Sequence, residues 1–150
     1  MENSITLEKV NELLSQGFNC SQIVFSYGSE KLGLDHETSL KIASTFGSGM
    51  YHGETCGCVT GALMALGLKY GQSKPHDLAA KQLTIQKKAE FEEKFIEVHT
   101  TLLCRELLGY DISNPSDKTI IMEKGLFSQI CPYLMWDACQ MLDDMIKAHP

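Results

Sequence analysis

The sequence has few basic residues and no run of them. Lys and Arg number 13 against 19 Asp and Glu, which gives the 150-residue chain a net charge of −6. An acidic chain without a basic cluster is a poor match for a nucleic-acid backbone or for an anionic membrane surface. The composition therefore argues against nucleic acid and membranes as partners.

Long hydrophobic runs are also missing. The longest, residues 62–68, is interrupted by Gly67, whereas a membrane-spanning helix needs about 20 apolar residues. The N-terminus lacks the basic region and the apolar stretch that mark a secretory signal peptide. We therefore expect a cytoplasmic protein, in a compartment where thiols are kept reduced.

The alternation of polar and apolar residues that marks a half-buried strand is absent from the sequence. Stretches of helical composition are instead followed by a glycine, as at helix ends. These glycines are Gly17, Gly33, Gly47, Gly71, Gly109 and Gly125. The pattern predicts one all-α domain over residues 1–150, a compact bundle of about seven helices.

The predicted helices have recognisable boundaries. They cover about 6–16, a segment from 19, 37–46, 55–70, the long segment 75–108 with room for a break, a segment after 115, and a last one from 131. Asn19 is a good N-cap, with Gln22 placed for a capping box. Helix 55–70 is apolar and rich in small residues, so we expect it to be the buried central helix. In the last helix, Pro132 suits the first helical position.

The last helix also carries an apolar stripe of Met135, Ala138, Leu142 and Ile146. The aspartates between these positions are predicted to face solvent. They are Asp137, Asp143 and Asp144.

Six cysteines are many for such a chain: Cys20, Cys56, Cys58, Cys104, Cys131 and Cys139. In a reducing compartment, metal binding or redox chemistry is a better interpretation than a disulfide framework. Buried cysteine is also a good core residue, and this interpretation suits Cys139. The sequence has no C-x-x-C, so it contains neither a zinc ribbon nor a thioredoxin motif. Cys56 and Cys58 form only a C-x-C pair, which is a weak metal signal.

Residues 46–61, FGSGMYHGETCGCVTG, have more glycines than a loop needs. Gly53, Gly57 and Gly61 are candidates for close approach of a ligand or of another backbone. No strand precedes the loop and no lysine completes a P-loop, so a nucleotide is not expected. His52 lies four residues before Cys56 and could pair with a thiolate or ligate a metal.

Cysteines recur where helices are predicted to begin. Cys56 follows Thr55, the predicted N-cap, and the positive pole of the helix should lower the pKa of its thiol. Cys20 follows Asn19, and Cys131 precedes Pro132. Cys104 differs, because it lies among leucines late in the long segment and by itself resembles a core residue.

Four segments in order resemble the C_GCAxxG_C_C family, which is named for its cysteine pattern. They are GFNCSQ at 17–22, GETCGCVTGALMALGLKYG at 53–71, LLCRELLGYD at 102–111 and CPYLMWDA at 131–138. The resemblance implies a redox role and places the family cysteines at Cys20, Cys56, Cys104 and Cys131. Cys58 departs from the pattern, since relatives usually have a small residue there. A related domain occurs in split-Soret cytochromes, where an iron–sulfur centre has been proposed, but the chain lacks the C-x-x-C-H motif of covalent haem.

Three hypotheses follow. The first is reversible thiol/disulfide or electron-transfer chemistry with an unknown redox partner, in which Cys56 attacks and Cys20 or Cys131 resolves. The second is an iron–sulfur cluster or zinc held by the family cysteines, with Cys58 as a further candidate ligand. The third is a non-catalytic interaction domain, in which Met135, Leu142 and Ile146 could serve a homodimer. The first two require the family cysteines to meet in space.

Overall fold

The computed structural model describes residues 4–148 and is helical throughout. The α-helices are α1 Leu7–Ser15, α2 Cys20–Lys31, α3 His36–Ile42, α4 Gly57–Tyr70, α5 Leu78–His99, α6 Cys104–Leu108, α7 Pro115–Lys124 and α8 Leu126–Ala148, with a short turn at Gly49–Gly53 before α4. The all-α prediction is confirmed. The described residues contain nine helical elements rather than about seven. The two additional elements are α6 and the turn at 49–53, which are too short for a helical repeat of apolar residues to be visible in the sequence.

Local signals in the sequence set several helix boundaries. At α2, Gln22 N–H donates to Asn19 Oδ1 and Asn19 N–H donates to Gln22 Oε1, each at 2.9 Å, so the predicted capping box is formed. The long segment does break, because Thr100 adopts a left-handed φ of 72° and ends α5. Within residues 4–148 no strand forms, and one isolated antiparallel bridge joins Thr55 to Leu103.

Helix α4 packs most closely against α2. A Cβ at Gly61 would lie 2.8 Å from the carbonyl oxygen of Ser21, and a Cβ at Gly28 would lie 2.8 Å from the Cβ of Ala65. Small residues on both helices therefore let the two backbones approach. Half of the residues of α4 are buried and only Leu68 is exposed, so the prediction of a buried central helix is correct. Gly67 takes no part in this contact, since no atom lies within 4 Å of a Cβ built there.

Helix α8 differs from the prediction in two respects. It begins at Leu126, so Pro132 lies inside the helix and Cys131 is not at a helix start. Asp143 is only 4% exposed rather than facing solvent. Its carboxylate accepts from Lys31 Nζ at 2.7 Å and from Tyr27 Oη at 2.5 Å. These partners lie on α2, more than 100 positions away in sequence. A local sequence pattern therefore cannot predict that Asp143 is buried.

The apolar stripe of α8 packs into the core. Met135 and Leu142 are buried and Ile146 packs against the same cluster. A homodimer would therefore need a different surface from the stripe suggested by the sequence. Among the described residues, none of the helices combines the length and apolar character needed to cross a bilayer.

Candidate functional site

Five of the six cysteines line one cavity of about 440 Å³. They are Cys20, Cys56, Cys58, Cys104 and Cys131. Cys139 is fully buried in the main core, as its core interpretation predicted. The convergence that the redox and metal hypotheses require is therefore present.

Four helices bring these cysteines together. Cys20 is the first residue of α2, Cys56 is the N-cap of α4, and Cys104 is the first residue of α6. Cys131 projects from the interior of α8. The sequence-based positions of Cys104 and Cys131 were thus interchanged: Cys104 begins a helix and Cys131 does not.

Two backbone hydrogen bonds hold Cys56 beside Cys104. Cys56 N–H donates to the carbonyl of Leu102, and Cys104 N–H donates to the carbonyl of Glu54, each at 2.7 Å. Both bonds flank the Thr55–Leu103 bridge. This pairing fixes the starts of α4 and α6 against each other and turns both cysteines toward the cavity.

Position 57 must be glycine because the side chain of Cys20 lies against it. A Cβ at position 57 would clash with Cys20 Sγ and would lie 2.9 Å from the backbone nitrogen of Ser21. The extra glycines predicted to permit close approach therefore do so, with protein atoms as neighbours. Of the three glycines that were candidates for close approach of a ligand, Gly57 lines the cavity, whereas Gly53 and Gly61 are not among its lining residues.

The sulfur of Cys20 collects hydrogen-bond donors. The thiols of Cys56 and Cys58 donate to it, and so do the backbone N–H groups of Ser48 and Ser21. These donors stabilise the thiolate and hold the pKa of Cys20 well below its ordinary value, despite the opposing effect of burial. The position at the start of α2 acts in the same direction.

The other cavity thiols are held neutral. The hydrogen bond that its thiol donates to Cys20 raises the pKa of Cys56, and burial raises the pKa values of Cys58 and Cys131. Burial likewise raises the pKa of Cys104 to about 12. The prediction that the pKa of Cys56 falls is therefore wrong. Cys20 carries the negative charge because the backbone N–H groups of Ser48 and Ser21 donate hydrogen bonds to its sulfur. Cys56, at the N-cap of α4, has fewer such backbone donors.

Alkaline pH should destabilise the protein. Thiols with raised pKa values favour the folded state fully below the ordinary thiol pKa of about 8.5, and this contribution is lost as pH rises through the folded value. For Cys104 the loss continues up to a pH of about 12, which is the pKa of its thiol in the folded protein. Over this range the free energy of unfolding falls by roughly 1.4 kcal/mol per pH unit. We expect urea unfolding under reducing conditions to show a steep loss of stability from pH 9 to 11, shallower in Cys104→Ala. Equal stability at pH 8 and pH 10.5 would contradict this expectation.

A strained loop supplies one donor to Cys20. Ser48, Met50 and Tyr51 all have φ values between 52° and 60°, in the left-handed region. Such residues cost roughly 1–3 kcal/mol each and persist where the surroundings hold them. Sequence reasoning missed Ser48, because its role depends on a backbone N–H rather than on its side chain. The same loop leaves His52 exposed and outside the set of cavity-lining residues.

The donor set suits a soft metal, because thiolates bind zinc, copper(I) and iron–sulfur clusters. Among residues 4–148, however, no three His, Cys, Asp or Glu side chains form a group that could hold a metal ion.

Comparison with known proteins gives a family. The model of the family described as "Putative redox-active protein (C_GCAxxG_C_C)" matches residues 18–145, a range that includes all six cysteines. Comparison with curated proteins and comparison with solved structures both give no match.

Proposed function

The chain belongs to the C_GCAxxG_C_C family, and from that premise we propose that it cycles between a reduced form and a Cys20–Cys56 disulfide. One observation carries the proposal: five cysteines meet at one cavity, where the thiol of Cys56 donates a hydrogen bond to the sulfur of Cys20. A thiolate in contact with a neutral thiol is the arrangement from which a disulfide forms.

Cys20 is the attacking residue in this proposal. Its sulfur is the one stabilised as a thiolate, and Cys20 is partly exposed, whereas Cys56 is only 5% exposed. Reactivity requires both thiolate character and access. This assignment exchanges the roles that the sequence suggested, with Cys56 now resolving.

The oxidant is a peroxide, and the step balances as follows. The Cys20 thiolate attacks one oxygen of the O–O bond, that bond breaks, and the other oxygen leaves with the electron pair and takes up a proton. Cys20 is then a sulfenic acid. Attack by the Cys56 sulfur on Cys20 Sγ forms the disulfide, and the hydroxide leaves with the Cys56 proton as water. The two sulfurs together lose two electrons, and an external dithiol returns them.

Cys58 is the natural comparison for Cys56. Both thiols donate to Cys20. The pKa of Cys56 is raised chiefly by that hydrogen bond, whereas the pKa of Cys58 is raised chiefly by burial. The hydrogen bond to Cys20 is therefore the main influence on the pKa of Cys56 but not on that of Cys58, and Cys58 is the matched control.

The test is to map the disulfide. Reduced protein is treated with one equivalent of hydrogen peroxide, remaining thiols are alkylated, and the digested peptides are analysed by mass spectrometry. We expect a Cys20–Cys56 link in the wild type and in Cys58→Ala, and none in Cys56→Ala. Full alkylation of every cysteine after oxidation, or a disulfide that lacks Cys20, would contradict the proposal.

A metal centre is the second candidate, supported by the number of thiols that face one cavity. It would require the side chains to rearrange around the ion, because no group of three among the described residues could now hold one. Anaerobic purification, followed by metal analysis and a visible spectrum, tests it. Stoichiometric iron and sulfide, or zinc, would favour this candidate over the disulfide cycle.

A further inference from the structure

The wall of the cysteine cavity is apolar over most of its surface. Its non-cysteine side chains include Leu14, Phe18, Leu107, Met122, Phe127 and Leu134. Apart from the Cys20 thiolate, none of the described residues that line the cavity is charged. Apart from the cysteines, the lining residues with polar side chains are Asn19 and Ser48.

Cationic side chains near the cavity are engaged elsewhere. Arg105 follows Cys104, but its guanidinium donates to the carbonyl of Gly53 at 3.1 Å and to the carboxylate of Glu54 at 3.0 Å. Lys124 lies two positions after Met122, and its ammonium lies 3.3 Å from Tyr110 Oη. A carboxylate or phosphate that entered the cavity would therefore lose its hydration without gaining a partner of opposite charge.

The apolar wall reaches the surface. Met122 is 61% exposed, and Leu14, Phe18, Leu107 and Phe127 are each partly exposed. A cavity of about 440 Å³ falls within the range of small-molecule sites, roughly 300–1,000 Å³. Hydrogen peroxide could make no use of such a wall, because it has no apolar part to bury.

We propose that the oxidant reduced at Cys20 is an apolar, uncharged organic hydroperoxide, whose hydrocarbon part occupies the wall formed by Leu14, Phe18, Leu107 and Phe127. This inference rests on the disulfide cycle proposed above. The thiolate sulfur bonds to the terminal oxygen of ROOH, the O–O bond breaks, and RO⁻ takes up a proton and leaves as the alcohol ROH. Attack by Cys56 then releases water and forms the disulfide, so two thiols and ROOH give one disulfide, ROH and H2O.

The test compares three oxidants on the full chain. Disulfide formation is followed under single-turnover conditions with cumene hydroperoxide, with its ring-carboxylated analogue and with hydrogen peroxide. Burying the ring on the wall predicts a second-order rate constant for cumene hydroperoxide at least about 10-fold above those of the other two. A wall variant, Met122→Glu, should lower the ratio of the rate constant with cumene hydroperoxide to that with hydrogen peroxide at least about 5-fold.

A matched control is Leu78→Glu, which places the same charge at an exposed leucine that does not line the cavity. It should leave all three rates unchanged. Equal rates for the three oxidants, or equal sensitivity of Met122→Glu and Leu78→Glu, would overturn the substrate class while the disulfide cycle stands. Failure of every oxidant to form the Cys20–Cys56 link would overturn the cycle itself and this inference with it.

Discussion

Replacing Cys20 by serine is expected to lower the rate at which the protein reacts with iodoacetamide at pH 6 by at least about 100-fold. Cys20 is the thiol whose pKa is lowered, whereas burial raises that of Cys104 to about 12. At pH 6 a thiol with a pKa of 12 is about one-millionth thiolate. A more basic thiolate is also intrinsically more nucleophilic, and this offsets roughly a thousandfold of the difference in thiolate fraction. The measurement is the time course of alkylation, with the modified residue identified by mass spectrometry.

The control for this prediction is Cys139→Ala. Cys139 is buried outside the cavity, and its pKa is raised by burial, so its loss should leave the fast reaction unchanged. Cys56→Ala should keep the fast reaction but shift its pH midpoint upward, because one donor to the thiolate is removed. A fast phase that survives in Cys20→Ser and modifies Cys56 would assign the thiolate to Cys56, as the sequence had suggested.

Cys20 could be placed from the sequence because its surroundings are local. Asn19 and Gln22 form a capping box within four residues, and the position of Cys20 at a helix start follows from it. Helix α4 was likewise predictable, since its small and apolar residues are contiguous. Information of this kind depends on neighbours along the chain.

The positions of Cys104 and Cys131 depend on contacts far apart in sequence. Cys104 begins a helix because the chain breaks at Thr100 and then pairs with residues 54–56. Thr100 is not a glycine, so it carries no signal for a left-handed residue. Pro132 gave a misleading signal, because proline is common at helix starts yet here lies within α8.

The directions of the pKa shifts of Cys20 and Cys56 could not be predicted from the sequence either. Both Cys20 and Cys56 lie at helix starts, which favours a thiolate at either position. The choice between them depends on Ser48, whose backbone N–H is aimed at Cys20 by a left-handed loop. Two thiols in contact in a buried site do not both ionise, since like charges there repel strongly. Stabilising Cys20 as an anion therefore keeps Cys56 protonated.

Adding a single methyl group at Gly57 is expected to cost about 3 kcal/mol of stability, as overpacking of a closely packed site does. It should also slow the reaction of Cys20 with iodoacetamide. A Cβ there would clash with Cys20 Sγ and would approach the carbonyl oxygen of Phe46 to 3.1 Å. The sulfur must move away to relieve the clash, and it would then leave the donors that stabilise its thiolate. Urea unfolding and the pH dependence of alkylation measure the two effects on Gly57→Ala.

Gly67→Ala is the matched control, because it lies in the same helix and no atom is within 4 Å of its added Cβ. It should gain about 0.5–1 kcal/mol from helix propensity and leave alkylation unchanged. Combining Gly57→Ala with Cys20→Ala separates the two causes of strain. If the sulfur contact dominates, the double variant loses less stability than the sum of the single variants. Strict additivity, or a Gly57→Ala protein as stable as the wild type, would show that the close approach of α4 to Cys20 is not what position 57 requires.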